Sequence, residues 1–215
     1  MPYVSHNTIY HFLYLNRDEK YVKCLRRRGI KYRYDKPITK FNQTNRMKHS
    51  IHDRPEEVEK LERTGDLEGD TIFGKDKKDR LLTHTDRKTG LTSISLIKNF
   101  DAYEITKQTQ KDIERVFDNI HTITYDNGVE FSFWKDTEKL TGATIYFADP
   151  YSPGQRGRNE NTNGLIRDFF PKGTDFKKLT KEDIMKVEFL INNRPRKRLG
   201  GMTPVEAYVA LRSEM

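Results

Sequence analysis

Between Leu67 and Asp149 the chain switches from strand-like to helix-like patterning and back, and that order limits the possible folds more than any other feature. Three runs rich in β-branched residues come first: LEGDTIFGK (67–75), RLLTHTD (80–86) and LTSISLIK (91–98). DRKTG (86–90) reads as a hairpin turn joining the second run to the third. DAYEITKQTQKDIERVFDNI (101–120) then predicts a helix whose buried stripe is Ile105, Ile113, Val116 and Phe117. HTITYDNG (121–128) predicts a strand ending in an Asn-Gly turn, followed by a short helix around SFWKDTEKLTG and a strand ATIYFAD (143–149). A helix running through GLIRDFF and a longer one over 180–194, capped by Thr180, complete the order. Hairpins first and crossovers afterwards predict an α/β fold with a mixed five-stranded sheet flanked by helices. The ends of the first and fourth strands then lie side by side in mid-sheet, where sites in such sheets are found.

The upstream region reads differently. Residues 1–15 predict a short amphipathic helix with Ser5 as N-cap and Ile9, Phe12 and Leu13 at helical spacing. Residues 21–54 are basic and weakly periodic. Two readings stand for them, a solvated connector or a DNA-tracking arm with Tyr32 and Tyr34 set among Lys and Arg. PEEVEKLERTG predicts a short helix opened by Pro55 and closed by Gly65. The expected division is a small helical and basic N-terminal arm over 1–54 and one catalytic-sized domain over 55–215. A formal charge of +8 suits a polyanionic partner, most often nucleic acid, and equally a ribosomal or merely soluble basic protein. Cys24 is the single cysteine, which excludes an internal disulfide and a multi-cysteine zinc site and fits a reducing cytoplasm. No run nears the ~18 apolar residues of a membrane span, and the N-terminus does not read as a signal peptide.

Three carboxylates stand at telling places: Asp70 inside the first strand, Asp126 at the end of the fourth, and Glu160 at the start of the helix after the fifth. Converging carboxylates repel unless a cation joins them, and hard oxygen ligands suit Mg²⁺ or Mn²⁺. Two such ions ~4 Å apart serve phosphodiester cleavage and joining. Each residue also has a plainer reading: a strand end with Glu68 on the same face, a turn former, or a first-turn glutamate complementing the helix dipole. On a helical wheel Glu160, Asn163, Gly164 and Arg167 share one face, with Leu165, Ile166 and Phe169 opposite. Gly164 leaves room for a close backbone, and Arg167 can grip a phosphate. Candidate DNA contacts are Arg156, Asn159, Asn163, Arg167, Lys172 and the run RPRKR, with Arg194, Arg196, Lys197 and Arg198. Asn159 reads equally well as a helix cap. His84 reads as a structural histidine, and Trp134 as the anchor of the short helix.

Four segments carry a resemblance: GDLEGDTIFG (65–74), TYDNGVEF (124–131), YFADPYSPGQRGRNENTNGLIRDFFPKGTDF (146–176) and LINNRPRKRLGGMTPVEA (190–207). From about Val4 onward the chain resembles the DDE transposases of bacterial insertion sequences, specifically the insertion-sequence thirty family. The resemblance implies an RNase H-like core, a divalent-metal cofactor, and cleavage and joining of DNA at element ends by a homo-oligomer in the bacterial cytoplasm, at the nucleoid. By position it implies the triad Asp70, Asp126 and Glu160, with thirty-three residues between the last two, and Arg167 as a basic companion. It also favours Asp70 over Glu68. Three departures stand out. Only the last helix of the family's helix-turn-helix region is expected, in VSHNTIYHFLYL; Leu67 and Gly154 stand where tryptophan is usual; Arg158 replaces a small residue. The expectations are therefore an active transposase core or a truncated chain acting only as a DNA-binding or inhibitory fragment, with a structure-selective nuclease on the same fold behind them.

Overall fold

The computed structural model describes residues 47–150 and 152–213, with isolated positions 4, 5, 8, 9 and 12 near the N-terminus. The chain divides into two compact units, Met1–Asn42 and Gln43–Met215. In the first, Ser5 Oγ accepts the Thr8 N–H at 3.2 Å and the Ser5 carbonyl accepts the Ile9 N–H at 3.2 Å, the hydrogen bonds of a helix N-cap. Ile9 and Phe12 are exposed. The expected arm residues Tyr32 and Tyr34, with Leu13 and Cys24, lie outside the described residues.

The second unit holds a sheet of six strands: β1 (His49–Ser50), β2 (Asp66–Phe73), β3 (Arg80–Asp86), β4 (Thr92–Ile97), β5 (Thr122–Tyr125) and β6 (Thr144–Phe147), in the order β1-β6-β5-β2-β3-β4. That is one strand more than the five expected. The extra strand, β1, pairs parallel with β6 through His49↔Tyr146 and Ser50↔Phe147, inside the stretch read as a linker. Two residues show no alternation, so sequence periodicity could not reveal it. The helices are α1 (Glu56–Lys60), α2 (Ala102–Val116), α3 (Trp134–Thr141), α4 (Gly157–Phe169), α5 (Lys181–Asn192) and α6 (Pro204–Ser213).

Strands β2, β3 and β4 pair antiparallel, and Asp86 builds the turn between the last two. Its carboxylate accepts the Thr89 N–H and hydroxyl, each at 2.7 Å, and the Gly65 N–H at 2.8 Å. Burial pushes this carboxyl upward and these donors oppose the shift. Helix α2 begins on Asp101, which accepts the N–H groups of Tyr103 and Glu104, and ends at Val116, earlier than the 120 expected. Phe117 leaves the helix in extended backbone and is buried among the core side chains. Thr180 and Asp183 close a capping box at the start of α5.

The period of two along β2 separates the two faces of the sheet. Leu67 joins Leu82, Ile123, Ile145 and Phe147 in a core completed by Ile105 and Ile113 of α2, Trp134 of α3 and Tyr208 of α6. Ile72 points the other way and joins Leu81, Ile94, Ile166 of α4, and Ile184, Val187 and Ile191 of α5. Gly69 belongs to the first face, where a Cβ would lie 2.1 Å from the Tyr125 ring. That ring is fully buried and stacks on Phe131 at 3.9 Å, so only glycine leaves it space. Glu68 and Asp70 therefore face the layer of α4 and α5.

Candidate active site

Strands β2 and β5 run parallel with Asp66↔Thr122, Leu67↔Ile123 and Glu68↔Thr124 in register. Two residues beyond the last pair each strand reaches an aspartate, Asp70 on one and Asp126 on the other. A guanidinium lies between them. Arg156, at the N-terminus of α4, approaches Asp70 Oδ1 at 3.8 Å and Asp126 Oδ2 at 3.3 Å, and donates to the Gly69 carbonyl at 3.3 Å. The loop that delivers Arg156 is braced by Asp149: its N–H donates to Gln155 Oε1 at 2.8 Å, and its carboxylate accepts from Gln155 Nε2 at 2.9 Å and contacts His52 Nε2 at 2.8 Å.

Asp70 is held on both oxygens. Oδ1 accepts the Thr71 N–H at 2.8 Å and Oδ2 accepts Asn163 Nδ2 at 2.9 Å. Burial pushes the Asp70 carboxyl above the ordinary carboxylate range; Arg156 and these donors pull it back, while Asp126 adds to the rise. Asp126 accepts the Gly128 N–H at 2.9 Å and is more open, with 38% of its side chain exposed against 21% for Asp70. Asn127 ties this end of β5 to β6 by donating to the Ala148 carbonyl at 2.7 Å.

Glu160 stands apart from the pair. It is exposed on α4, one turn before Asn163, and among the described residues it makes no hydrogen bond or ion pair. No three His, Cys, Asp or Glu side chains among the described residues lie close enough together to hold a metal ion. The donor chemistry nevertheless suits a hard cation. Two carboxylates face one guanidinium, and Asn163 Oδ1 beside Asp70 is buried with no hydrogen-bond partner.

Several expected contacts are placed otherwise. Asn159 is 1% exposed and its backbone N–H donates to Glu68 Oε2 at 3.0 Å, so it forms part of the helix start and is shut away from DNA. Arg156 turns inward to the aspartates, where a solvent-facing phosphate ligand was expected. Arg167 donates to the carbonyls of Phe73 at 2.9 Å and Phe170 at 3.4 Å, pinning the end of α4 to the end of β2. Phe169 is exposed, and Phe170 is buried in its stead. Lys172 and Arg194 are exposed, while Arg196, Lys197 and Arg198 line one cavity beside α4. A Cβ on Gly164 would meet nothing within 4 Å, so this chain itself does not require glycine there.

Lys48 escaped the sequence reading because it lies in the presumed linker. Its ammonium sits 4.0 Å from the Phe147 ring centroid and 3.4 Å from Asn127 Oδ1. Burial lowers it to about 8, against the pull of Asp126. Glu68 has a structural occupation: it accepts from Arg87 at 2.8 Å and caps α4 through Asn159. Arg87 and Arg54, both buried, also reach Glu59, whose own side chain is exposed. His84 is fully buried, bonded to the Tyr125 hydroxyl at 3.0 Å and lowered to about 3 by burial, hence neutral.

Three antiparallel strands followed by parallel crossovers, with helices packed on the sheet, give an RNase H-like fold. The catalytic core domain of BIV integrase superposes with a TM-score of 0.55 at 20% identity, covering 70% of this chain and 97% of that one. The HTLV-2 integrase catalytic core domain in complex with magnesium gives 0.53 at 20% identity, over 68% and 97%. By sequence the chain is a homologue of the transposases of the insertion-sequence 30 type. It is 43% identical over 209 residues to the transposase for insertion sequence element IS4351 of Bacteroides fragilis, covering 95% of this chain and 64% of the relative. It is 37% identical over 157 residues to transposase InsI for insertion sequence element IS30A of Escherichia coli (strain K12), covering 73% of this chain and 41% of the relative. The chain thus spans less than two thirds of these relatives' length. No protein-family model matches it. Among the described residues no helix is long and apolar enough to cross a membrane.

Proposed function

We propose that the chain cuts and joins DNA strands at insertion-element ends, with Asp70, Asp126 and Glu160 as the carboxylates that hold a divalent metal ion, Mg²⁺ or Mn²⁺, in a two-ion site. The observation that carries this reading is Asp70, inside β2, set beside Asp126, just past the end of β5, with the Arg156 guanidinium between them. Bound metal supplies Lewis-acid stabilisation of the phosphodiester and lowers the pKa of an attacking water. The chain's own residues prepare the ground. Asn163 and the Thr71 N–H fix the Asp70 carboxylate from both sides, so its orientation is set before any ligand arrives. Glu160 is free to turn, being exposed and unpaired on the helix that also carries Asn163. Arg156, once released from the aspartates, has a phosphate oxygen as its natural next partner. The open space over Gly164 admits a nucleic-acid backbone against α4. Lys48 adds positive charge at the same edge.

The relatives' names as transposases and the magnesium complex of the HTLV-2 core support the reaction and the cofactor. The simian T-cell lymphotropic virus intasome, similar in fold with a TM-score of 0.58 at 19% identity, and the dimeric form of the HTLV-2 core support a self-associating working state. The decisive experiment incubates the purified chain with Mn²⁺ and DNA carrying complete element ends. Nicking is expected in the unaltered protein and is lost in Glu160→Gln; equal nicking by the variant overturns the triad.

A further inference from the structure

A second stripe of α4, at 157, 158, 161 and 162, borders a cavity of about 360 Å³ that the carboxylate chemistry does not use. Four cations line it: Arg158 of α4, and Arg196, Lys197 and Arg198 from the segment between α5 and α6. We propose that this cavity binds a backbone phosphate of a DNA strand lying across α4. The inference rests on the reading of the chain as a DNA-acting core and adds a binding site to it.

The cations are held in place without being neutralised. Arg158 Nε donates to the Arg87 carbonyl at 2.9 Å, Arg196 Nη2 to the Ile191 carbonyl at 3.0 Å, and Arg198 Nη1 to the Lys88 carbonyl at 2.7 Å. Among the described residues none of the four has an ion pair. A carbonyl anchors a guanidinium but leaves its charge, and each guanidinium carries five N–H donors, so most remain for a ligand. Crowding is evident in Arg198, which burial first, then Arg158 and Arg196, push down to about 10. The approach of Arg198 is itself built in. Gly90, at φ +80° in the hairpin turn, lies where a Cβ would be 2.7 Å from Arg198 Nη2. Like charges gathered this way repel, and an anion relieves the repulsion. Asn161 adds a polar side chain to the wall.

A polymer suits the cavity better than a free anion. Asn161 here and Asn163 at Asp70 lie on opposite sides of α4 with the exposed Glu160 and Gly164 between them, so a strand laid across that exposed face spans from one stripe to the other, which a free anion does not. The chain's +8 charge favours the same polyanion. Arg158, one of the positions read above as departing from the family resemblance, is a wall of this cavity.

The test measures fluorescence anisotropy of a labelled duplex, without metal, from about 50 to 200 mM salt. Arg158→Ala/Arg198→Ala is expected to bind several-fold more weakly and to lower the slope of log affinity against log salt by about 1 for the lost phosphate. Because both arginines also brace the hairpin, Lys197→Glu, which breaks no structural bond, is measured beside it and is expected to weaken binding likewise. Arg158→Lys retains the slope. Unchanged affinity and slope in Lys197→Glu and in a double variant that melts like the parent overturn the proposal. So does inorganic phosphate that raises the melting temperature of the parent alone while DNA slopes stay equal, since the cavity would then serve a free anion. Asp70→Asn separates the two readings: it is expected to lose nicking and keep the slope. A parent that binds with the full slope but never nicks leaves this site standing while the metal reading falls.

Discussion

Glu68 and Asp70 stand two residues apart on one face of one strand, and burial raises both carboxyls, yet the fold uses them for opposite purposes. Glu68 is 1% exposed; Arg87 on one oxygen and the Asn159 N–H on the other account for its charge. Asp70 is more open, meets a second carboxylate across the strand pair, and shares its cation with it. A raised pKa alone therefore does not mark a functional acid. Nor does a shared cation, since Glu68 shares Arg87 with Glu59; Asp70 differs in being more open and in facing a second aspartate.

The sharpest way to break this comparison is to neutralise each acid in turn. Glu68→Gln should lose about 3 kcal/mol of unfolding free energy, because Arg87 loses its buried partner and keeps only the longer contact to the exposed Glu59. Asp70→Asn should stay within about 1 kcal/mol of the parent in the same denaturant titration, while metal-dependent nicking falls by on the order of a thousandfold. A larger stability loss for Asp70→Asn than for Glu68→Gln would reverse the two assignments.

Asp112 extends the comparison to an interior acid that shares Arg115 with Glu188. It is fully buried, accepts Ser95 Oγ and Gln108 Nε2, and burial pushes it up to about 6. The folded pKa lies above the unfolded one, so the stability this group contributes is complete below about pH 4 and declines as pH rises through 6. Asp112→Asn should flatten that decline, by as much as a few kcal/mol, in melts taken across the same window.

Arg156→Ala removes the cation that metal must displace. Calorimetry without DNA should give Mn²⁺ binding about tenfold tighter, roughly 1.4 kcal/mol, while DNA nicking weakens. Weaker Mn²⁺ binding in this variant would mean that Arg156 organises the pair instead of competing for it. The smallest signal concerns Asp70 itself. Its raised carboxyl must lose a proton to bind metal, so Mn²⁺ affinity should fall on acidification through that pKa, with proton uptake by buffer of up to about one per site. Asp70→Asn should abolish that proton release.

Much of this architecture was legible before any coordinates, for physical reasons. The turn chemistry of DRKTG, the strand runs and the crossover order set β2 beside β5, and with them Asp70 beside Asp126. The long-range partners were not legible. Arg156 and Lys48 owe their positions to a braced loop and to a strand of two residues, neither of which has a periodic signature. The wheel placed Phe169 inward by centring the apolar face on Leu165, whereas the buried stripe of α4 runs through Asn159, Thr162 and Ile166. Phe170, where the helix has ended, turns into the core, and Asn159 is buried because Glu68 takes its backbone N–H. Glu160 had the least to reveal, since an exposed acid on a first turn looks the same in either role.

The aspartates come from strands separated in the chain by a hairpin sheet and helix α2, and they meet only when β5 docks on β2. Such a long-range parallel pairing is among the slow steps of folding. A half-folded chain therefore displays its positive charge before the two aspartates lie side by side.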